Sequence, residues 1–363
     1  MKILQRYVAR EILLPFAVCT LVLNFIFMAG YLVRAANFII GRHVPLLDTL
    51  YILMLALPEM AAYTIPTSLL MAVMLVFGHL SQHNELRAMK ASGVHLFHVI
   101  VPALVIGLTV SFAMIVFNDQ VVGQAGFELR KATKKLLIKN PKALIEPGRF
   151  VTLNDQIVFL AKEIHGDEMR DIIAYEVEAD QKPVRTIMAE RGEITTSAGG
   201  SEMRVRLFDG SISESESEGV NTMQFQTYEF PPVGDGDLQN MQKKQRELTL
   251  AEILVKLKGA EEQPMDPNDV LRLQTSFHDR IAFALGSFIF VLIGVPVAVL
   301  VRRGEIVVSF AVSMAGVSLY YVLCAAAKAM AFQGVLVPAI ALWLPNLLLF
   351  IVGVFLLRKA VLS

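Results

Sequence analysis

The segment with the most chemical promise is a short polar stretch between two apolar runs, His79-Leu-Ser-Gln-His-Asn-Glu-Leu-Arg-Ala-Met-Lys-Ala-Ser-Gly93. Ser81 is placed to cap a helix here, Leu86 and Met89 share a face at i,i+3, and Gly93 suits a left-handed terminating turn. A short helix lying across a membrane face, with Glu85, Arg87 and Lys90 in reach of water, can transmit force from a soluble motor. A plain solvated connector fits the spacing equally well. Elsewhere the polar groups inside apolar runs, Asn24, Glu59, Lys328 and Asn346, are scattered and form no nucleophile–base or paired-acid set. The sequence has no GxxxxGK[ST] phosphate loop, HExxH helix or GxSxG elbow, so no catalytic residue is expected. Cys19 and Cys324 each sit in a long apolar run, which excludes a disulfide framework or a CxxC motif. The Ser-Glu repeat from Ser213 to Glu218 lacks the ligand spacing and glycine of a calcium loop. It reads as a solvated loop or edge, and no metal site is expected.

The elements around these residues follow from the distribution of charge. The chain has 363 residues, 55% hydrophobic and only 18% charged, against about 25% charged in soluble domains. Of its 66 charged residues, 47 fall between Asn118 and Ser276, so two apolar halves flank one water-compatible insert. Equal numbers of basic and acidic residues, 33 each, give no global field to recruit nucleic acid. Six stretches reach the roughly 20 apolar residues that cross a bilayer core: Ile12 to Val33, Leu50 to Phe77, Leu96 to Phe117, Phe277 to Val301, Ile306 to Ala327 and Leu336 to Leu357. Pro58 and Pro66 are expected to kink or break the second. The first is too long for a signal-peptide core and reads as an uncleaved anchor. With the N-terminus inside, the short inner segments carry nine Lys or Arg residues and the outer ones Arg34, Arg42 and Lys328. Both termini are therefore expected in the cytoplasm, with the insert on the far side.

Within the insert a polar helical lead from Gln120 to Lys139 precedes β-rich runs at Phe150–Leu153, Ile157–Leu160, Ile172–Val177, Arg185–Glu190, Met203–Phe208 and Thr222–Tyr228. Pro147-Gly148, Gly199-Gly200 and Asp209-Gly210 are the expected turns between them. An antiparallel sandwich or jelly roll follows, with Phe150, Val151, Ile157, Phe159, Ile173, Val205, Leu207 and Phe225 expected in its interior. Thr249 to Lys258 reads as an amphipathic helix with Leu250, Ile253, Leu254 and Leu257 on one face and Thr249 as N-cap. The expected fold class is an α-helical membrane protein with six transmembrane helices and a periplasmic all-β jelly-roll-like domain between helices 3 and 4. Residues 1–118 hold helices 1–3 and the turn at about 79–93, residues 119–275 the β domain with helical linkers, and residues 276–363 helices 4–6.

On these residues the sequence resembles the permease family of the lipopolysaccharide-export ABC transporter, whose paired members are LptF and LptG. Arg6-Tyr7 with Arg10-Glu11 resembles the family opening, and Leu57-Pro58-Glu59-Met60 with Pro66 and Leu69-Leu70 its second span. Asn84 to Gly93 is similar to its coupling helix. Phe277-His278-x-Arg280, Gly294-Val295-Pro296, Arg302-Arg303-Gly304, Leu319-Tyr320-Tyr321 and Trp343-Leu344-Pro345-Asn346 fall at family positions in the second half. Ser276, Glu305 and Lys328 depart from the pattern. The Pro-Glu-Met of the second span is closer to the LptF branch.

The resemblance implies a bacterial inner-membrane subunit that pairs with a sister permease above an LptB-like ATPase dimer. That subunit passes lipopolysaccharide to LptC-like and LptA-like jelly-roll proteins. ATP and Mg are then used by the partner, and no cofactor is bound by this chain. Glu85, Leu86, Arg87 and Met89 become the candidate ATPase contacts, a groove burying the Leu and Met with the charges paired at its rim. Arg34, and less directly Arg42, become candidates for lipid phosphates, which an Arg fork binds bidentately; interfacial snorkelling is the alternative for Arg34. For Glu59 a structural or capping role is expected, and for Trp343 and Asn346 helix packing. Competing readings are a non-transporting envelope scaffold, a four-span ABC permease and a membrane enzyme.

Overall fold

The computed structural model describes residues 2–36, 45–139, 147–154, 157–165, 168–177, 183–197, 202–216, 219–262, 265–301 and 306–362. It contains two compact units: residues 1–30, 56–127 and 243–363 form one, residues 31–55 and 128–242 the other. Among the described residues six helices are long and apolar enough to cross a membrane. They are carried by α1 (Lys2–Ala36), α2 (Leu46–Gln82), α4 (Leu96–Val116), α8 (Pro267–Val301), α9 (Ile306–Phe332) and the pair α10 (Pro338–Ala341) and α11 (Leu344–Leu362), with α3 (Glu85–Ala91) between α2 and α4. The second span is one continuous helix through Pro58 and Pro66, so no local break falls there. Instead the break falls in the last span, at the junction of α10 and α11.

The helical core is built where Val8 and Ile12 of α1 meet Leu69, Val73, Phe77 and Leu80 of α2, Leu96 to Ala103 of α4, and Phe290 to Ala298 of α8. Polar side chains add directional ties in the span region. The Thr20 and Ser68 hydroxyls lie 2.6 Å apart, and Asn24 Nδ2 donates to Thr64 Oγ1 at 2.7 Å. The Tyr320 hydroxyl donates to Asn346 Oδ1 at 3.1 Å, while Asn346 Nδ2 donates to the Ala282 carbonyl at 2.6 Å. Each pairing satisfies groups that are costly to leave bare in hydrocarbon. Asn346 is thus a packing residue, whereas Trp343 is exposed.

Beyond α4 the helix passes through a π-helical turn (Phe117–Val122) directly into α5 (Gly123–Lys139). The β domain comprises β1 (Val151–Asn154), β2 (Ile157–His165), β3 (Glu168–Val177), β4 (Pro183–Thr196), β5 (Glu202–Glu216), β6 (Gly219–Glu229) and β7 (Val233–Gly234). It is followed by α6 (Asp235–Gln239) and α7 (Leu250–Glu262). The strands pair antiparallel in chain order from β1 to β6, with β7 beside β5. This jelly-roll-like domain is one long sheet, and a crease runs across five of its strands. Lys162, Asp171, Glu190, Asp209 and Gln226 stand opposite one another at the gap in each ladder. Asp171 and Asp209 take φ of 51° and 54° there, a left-handed conformation that Asp tolerates better than most residues. Inward-facing residues are three apart across this line instead of two: Ala161 and Ile164, Met169 and Ile172, Ala189 and Gly192, Leu207 and Gly210, Phe225 and Tyr228. Leu137 and Ile138 of α5 pack into the same core.

The crease explains where the sequence reading of the insert went astray. Asp209-Gly210 is a mid-strand step, not a turn, and β5 runs through it from Glu202 to Glu216. Ile173, expected inside, is not buried; Ile172 and Ala174 form the inner face of this run. Phe159, Ile157, Val205 and Leu207 are buried as expected, Val151 and Phe225 pack at the margin, and Phe150 is exposed. Ser213 to Glu216 continue β5, with Glu214 accepting from Arg185 Nε at 3.2 Å. Gly199-Gly200 lies outside the described residues.

Candidate functional site

The turn from α2 to α4 is built by three local devices. Asn84, in the left-handed region at φ 59°, redirects the chain after α2 and precedes α3. Arg87 Nη1 donates to Asn84 Oδ1 at 3.2 Å. At the other end Gly93 takes φ 81°. Its N–H donates to the Lys90 carbonyl and the Val94 N–H to the Met89 carbonyl, both at 3.0 Å. That pair of bonds is a Schellman closure, which needs a residue free to adopt positive φ. His95 then caps α4, its Nδ1 accepting from the Phe97 N–H at 3.3 Å.

Ser81, expected as the helix cap, lies within the last turn of α2 and donates to the Val299 carbonyl at 3.4 Å. The helix α3 begins four residues later, because α2 continues to Gln82 and a turn at His83 and Asn84 follows it. Leu86 is only 6% exposed and belongs to the bundle core, with Met89 and Val94 packed against it. Leu86 packs into this chain's own core, and Met89 is partly buried against it. A seven-residue helix cannot hold itself together in water, so its apolar residues are spent anchoring it. What α3 presents to solvent is Arg87, Ala88, Lys90 and Ala91, with Glu85 half-buried. The result is a short charged knob fastened to the ends of α2 and α4, which can carry a push into the bundle.

The two lipid-phosphate candidates are placed as follows. Arg34 lies in the last turn of α1, and Arg42 falls outside the described residues, as does the Arg302-Arg303-Gly304 turn. Glu59 is exposed on α2. Lys328 of α9 forms an ion pair with Asp279 of α8. Among the described residues no cluster of three or more His, Cys, Asp or Glu side chains is disposed to hold a metal.

A second constellation was not legible beforehand. Arg280 of α8 donates through Nη1 to Asp119 Oδ1 at 3.2 Å and through Nη2 to the Arg246 carbonyl at 2.8 Å. The same Asp119 oxygen accepts the Leu250 N–H at 2.6 Å. Arg280 was visible as part of a motif, but Asp119 was not, because nothing in sequence marks a residue 161 positions away as its partner. From Arg280 to the end of α8 the helix runs about 32 Å at 1.5 Å per residue, close to the thickness of a bilayer core. The hub therefore sits at one edge of the apolar layer. Thr249 and Glu252 beside it form a capping box: Thr249 Oγ1 accepts the Glu252 N–H at 3.2 Å, and Glu252 Oε2 accepts the Thr249 N–H at 2.7 Å. Lys243 Nζ donates to Glu252 Oε1 at 2.7 Å. That bond first, and the Thr249 amide second, hold the Glu252 carboxyl below its ordinary value.

Six apolar spans among the described residues, a charged turn fastened to the second and third, and a creased β domain between the third and fourth define a polytopic α-helical membrane protein with an inserted β domain. The family model "Lipopolysaccharide export system permease LptF/LptG" matches residues 6–359, and the chain belongs to that family. It is 23% identical over 367 residues to the lipopolysaccharide export system permease protein LptF of Escherichia coli (strain K12), covering 95% of this chain and 92% of the relative. The LptF of Shigella flexneri is similar to the same extent.

Proposed function

We propose that this chain is the LptF-like permease subunit of an ABC transporter that extracts lipopolysaccharide from the inner membrane and passes it to a periplasmic jelly-roll bridge. The observation that carries the reading is the family match across nearly the whole chain, spans and β domain together. In this reading a sister permease completes the path through the membrane. An LptB-like dimer beneath hydrolyses ATP with Mg, and LptC-like and LptA-like proteins receive the lipid. Both termini lie in the cytoplasm and the β domain in the periplasm, the orientation favoured by the basic residues of the short loops. Glu85, Arg87 and Lys90 then face the ATPase, with Leu86 and Met89 serving as the anchors that make α3 stiff enough to be pushed. Arg34, at the far end of the first span, meets the lipid's phosphates, with Arg42 as a second cation.

The test is gentle detergent purification of the chain from its native membrane, followed by mass spectrometry of co-purifying proteins and lipids. Recovery of a soluble ATPase, a second six-span permease and lipopolysaccharide is the expected result. Reproducible recovery of the chain alone would shift the assignment to a non-transporting scaffold and remove the roles given to Glu85 and Arg34.

A further inference from the structure

The chain leaves the helical bundle twice to reach the β domain, once through the π-helical turn and α5, and once returning through residues 240–249. At the bundle both connectors meet Arg280. Its guanidinium bonds Asp119 in the outgoing connector and the carbonyls of Gln245 and Arg246 in the returning one, at 3.2, 3.5 and 2.8 Å. Asp119 in turn holds the Leu250 N–H, the start of α7. The connectors also approach closely, since a Cβ at Gly123 would lie 3.1 Å from the Glu247 carbonyl oxygen. Arg280 and Asp119 are largely buried, with 11% and 18% of their side chains exposed.

Two features set this apart from an ordinary surface ion pair. The planar guanidinium uses several of its five donors on two separate segments, so neither connector can move away alone without stranding a buried charge. The outgoing connector is also π-helical exactly where Asp119 sits, a local departure from regular helix that recurs at functional sites. Meanwhile α8 packs against α4, α9, α10 and α11, so it takes part in any rearrangement of the bundle.

We infer that Arg280 and Asp119 are positioning residues that clamp both connectors to the head of α8, so that a shift of α8 reaches the β domain through the two connectors together. The inference rests on the transport reading above. Without the clamp the connectors respond independently, and ATP hydrolysis continues without ordered delivery of lipid.

The test uses the full chain assembled with its ATPase and sister permease in proteoliposomes. It measures ATP hydrolysis, lipopolysaccharide delivered per ATP, and hydrogen–deuterium exchange of residues 243–253. Arg280→Gln is expected to keep hydrolysis within about twofold of the unmodified complex, to accelerate exchange in 243–253, and to lower delivery per ATP at least tenfold. Arg280→Lys, which restores a cation opposite Asp119, is expected to recover delivery to within about threefold. If Arg280→Gln fails to assemble, Asp119→Asn carries the same expectation, because it removes the charge and keeps an oxygen for the Leu250 N–H. Accelerated exchange with unchanged delivery per ATP would overturn the inference and leave the pair a structural tie. So would a parallel fall of hydrolysis and delivery without rescue by Lys. An unmodified complex that delivers no lipid counts against the transport reading itself, a result separate from any variant.

Discussion

Replacing Leu86 by alanine separates the two roles its position allows. The side chain is 6% exposed and its neighbours are this chain's own core residues. Truncating a well-packed leucine costs about 3–5 kcal/mol, the lower end applying where the surroundings can relax. Because α3 has only seven residues and lies at the end of the bundle, about 2–3 kcal/mol is the expected loss, and it falls on the docking of α3 more than on the global fold. At about 1.4 kcal/mol per factor of ten, the undocked population of α3 rises roughly 30- to 150-fold. Arg87→Ala is the control: its guanidinium is exposed and bonds Asn84 Oδ1, so its cost stays within about 0.5 kcal/mol. Hydrogen–deuterium exchange of residues 83–93 measures both variants directly, with ATPase activity of the assembled complex alongside. Leu86→Ala should accelerate exchange and weaken coupling together, whereas Arg87→Ala should weaken coupling with exchange unchanged. If Leu86→Ala abolishes coupling and α3 stays fully protected, Leu86 touches the partner, and the inward packing argued above is wrong.

Two further outcomes are expected. In Gly210→Ala the new Cβ lies 2.3 Å from the Met188 carbonyl oxygen and 2.5 Å from the Phe225 ring; backbone on one side prevents relief, so the β domain should lose about 2 kcal/mol or more, seen as faster proteolysis between β4 and β6 with the spans intact. Glu252→Gln tests the capping box. Because the folded carboxyl titrates below its ordinary value of 4.5, its stabilisation is complete above that value and is lost as pH falls through the lower folded value. The variant should be about 0.5–1 kcal/mol less stable near neutrality, much of it in the cap because the pair with Lys243 is solvent-screened. The two proteins should converge below pH 4.5, and a gap that persists in acid would show that the loss is not electrostatic.

The spans were legible because apolar runs of bilayer length have few alternative uses. Helix ends were less so: α8 starts at Pro267, well before its apolar run, since α7 covers its polar first turns through Ile253 against Leu273. In the β domain all six longer strands were located, but the face of the Ile172–Val177 run was misassigned: Ile173 was expected inside, and Ile172 and Ala174 are the residues buried there. Pattern reasoning assumes a period of two throughout a strand, and a sheet-wide step is visible only when neighbouring strands are seen side by side. Leu86 shows a further limit. An i,i+3 apolar pair announces that something will cover it, and the sequence does not say whether the cover is the same chain or another. Asp119 had no local signal at all, because its role comes from Arg280 and the Leu250 N–H, brought to it by two distant segments.

The aligned step in the sheet also constrains how this domain can change length. A single residue inserted well inside a strand would turn every side chain beyond it to the wrong face as far as the next irregularity. An insertion at the step itself falls where two consecutive residues already face outward, as at Lys162 and Glu163 or Glu190 and Arg191. The line through Lys162, Asp171, Glu190, Asp209 and Gln226 is thus a seam at which strands can gain or lose single residues while the two apolar half-faces keep their identity. Related domains compared strand by strand should fall out of phase on one side of that seam and stay aligned on the other.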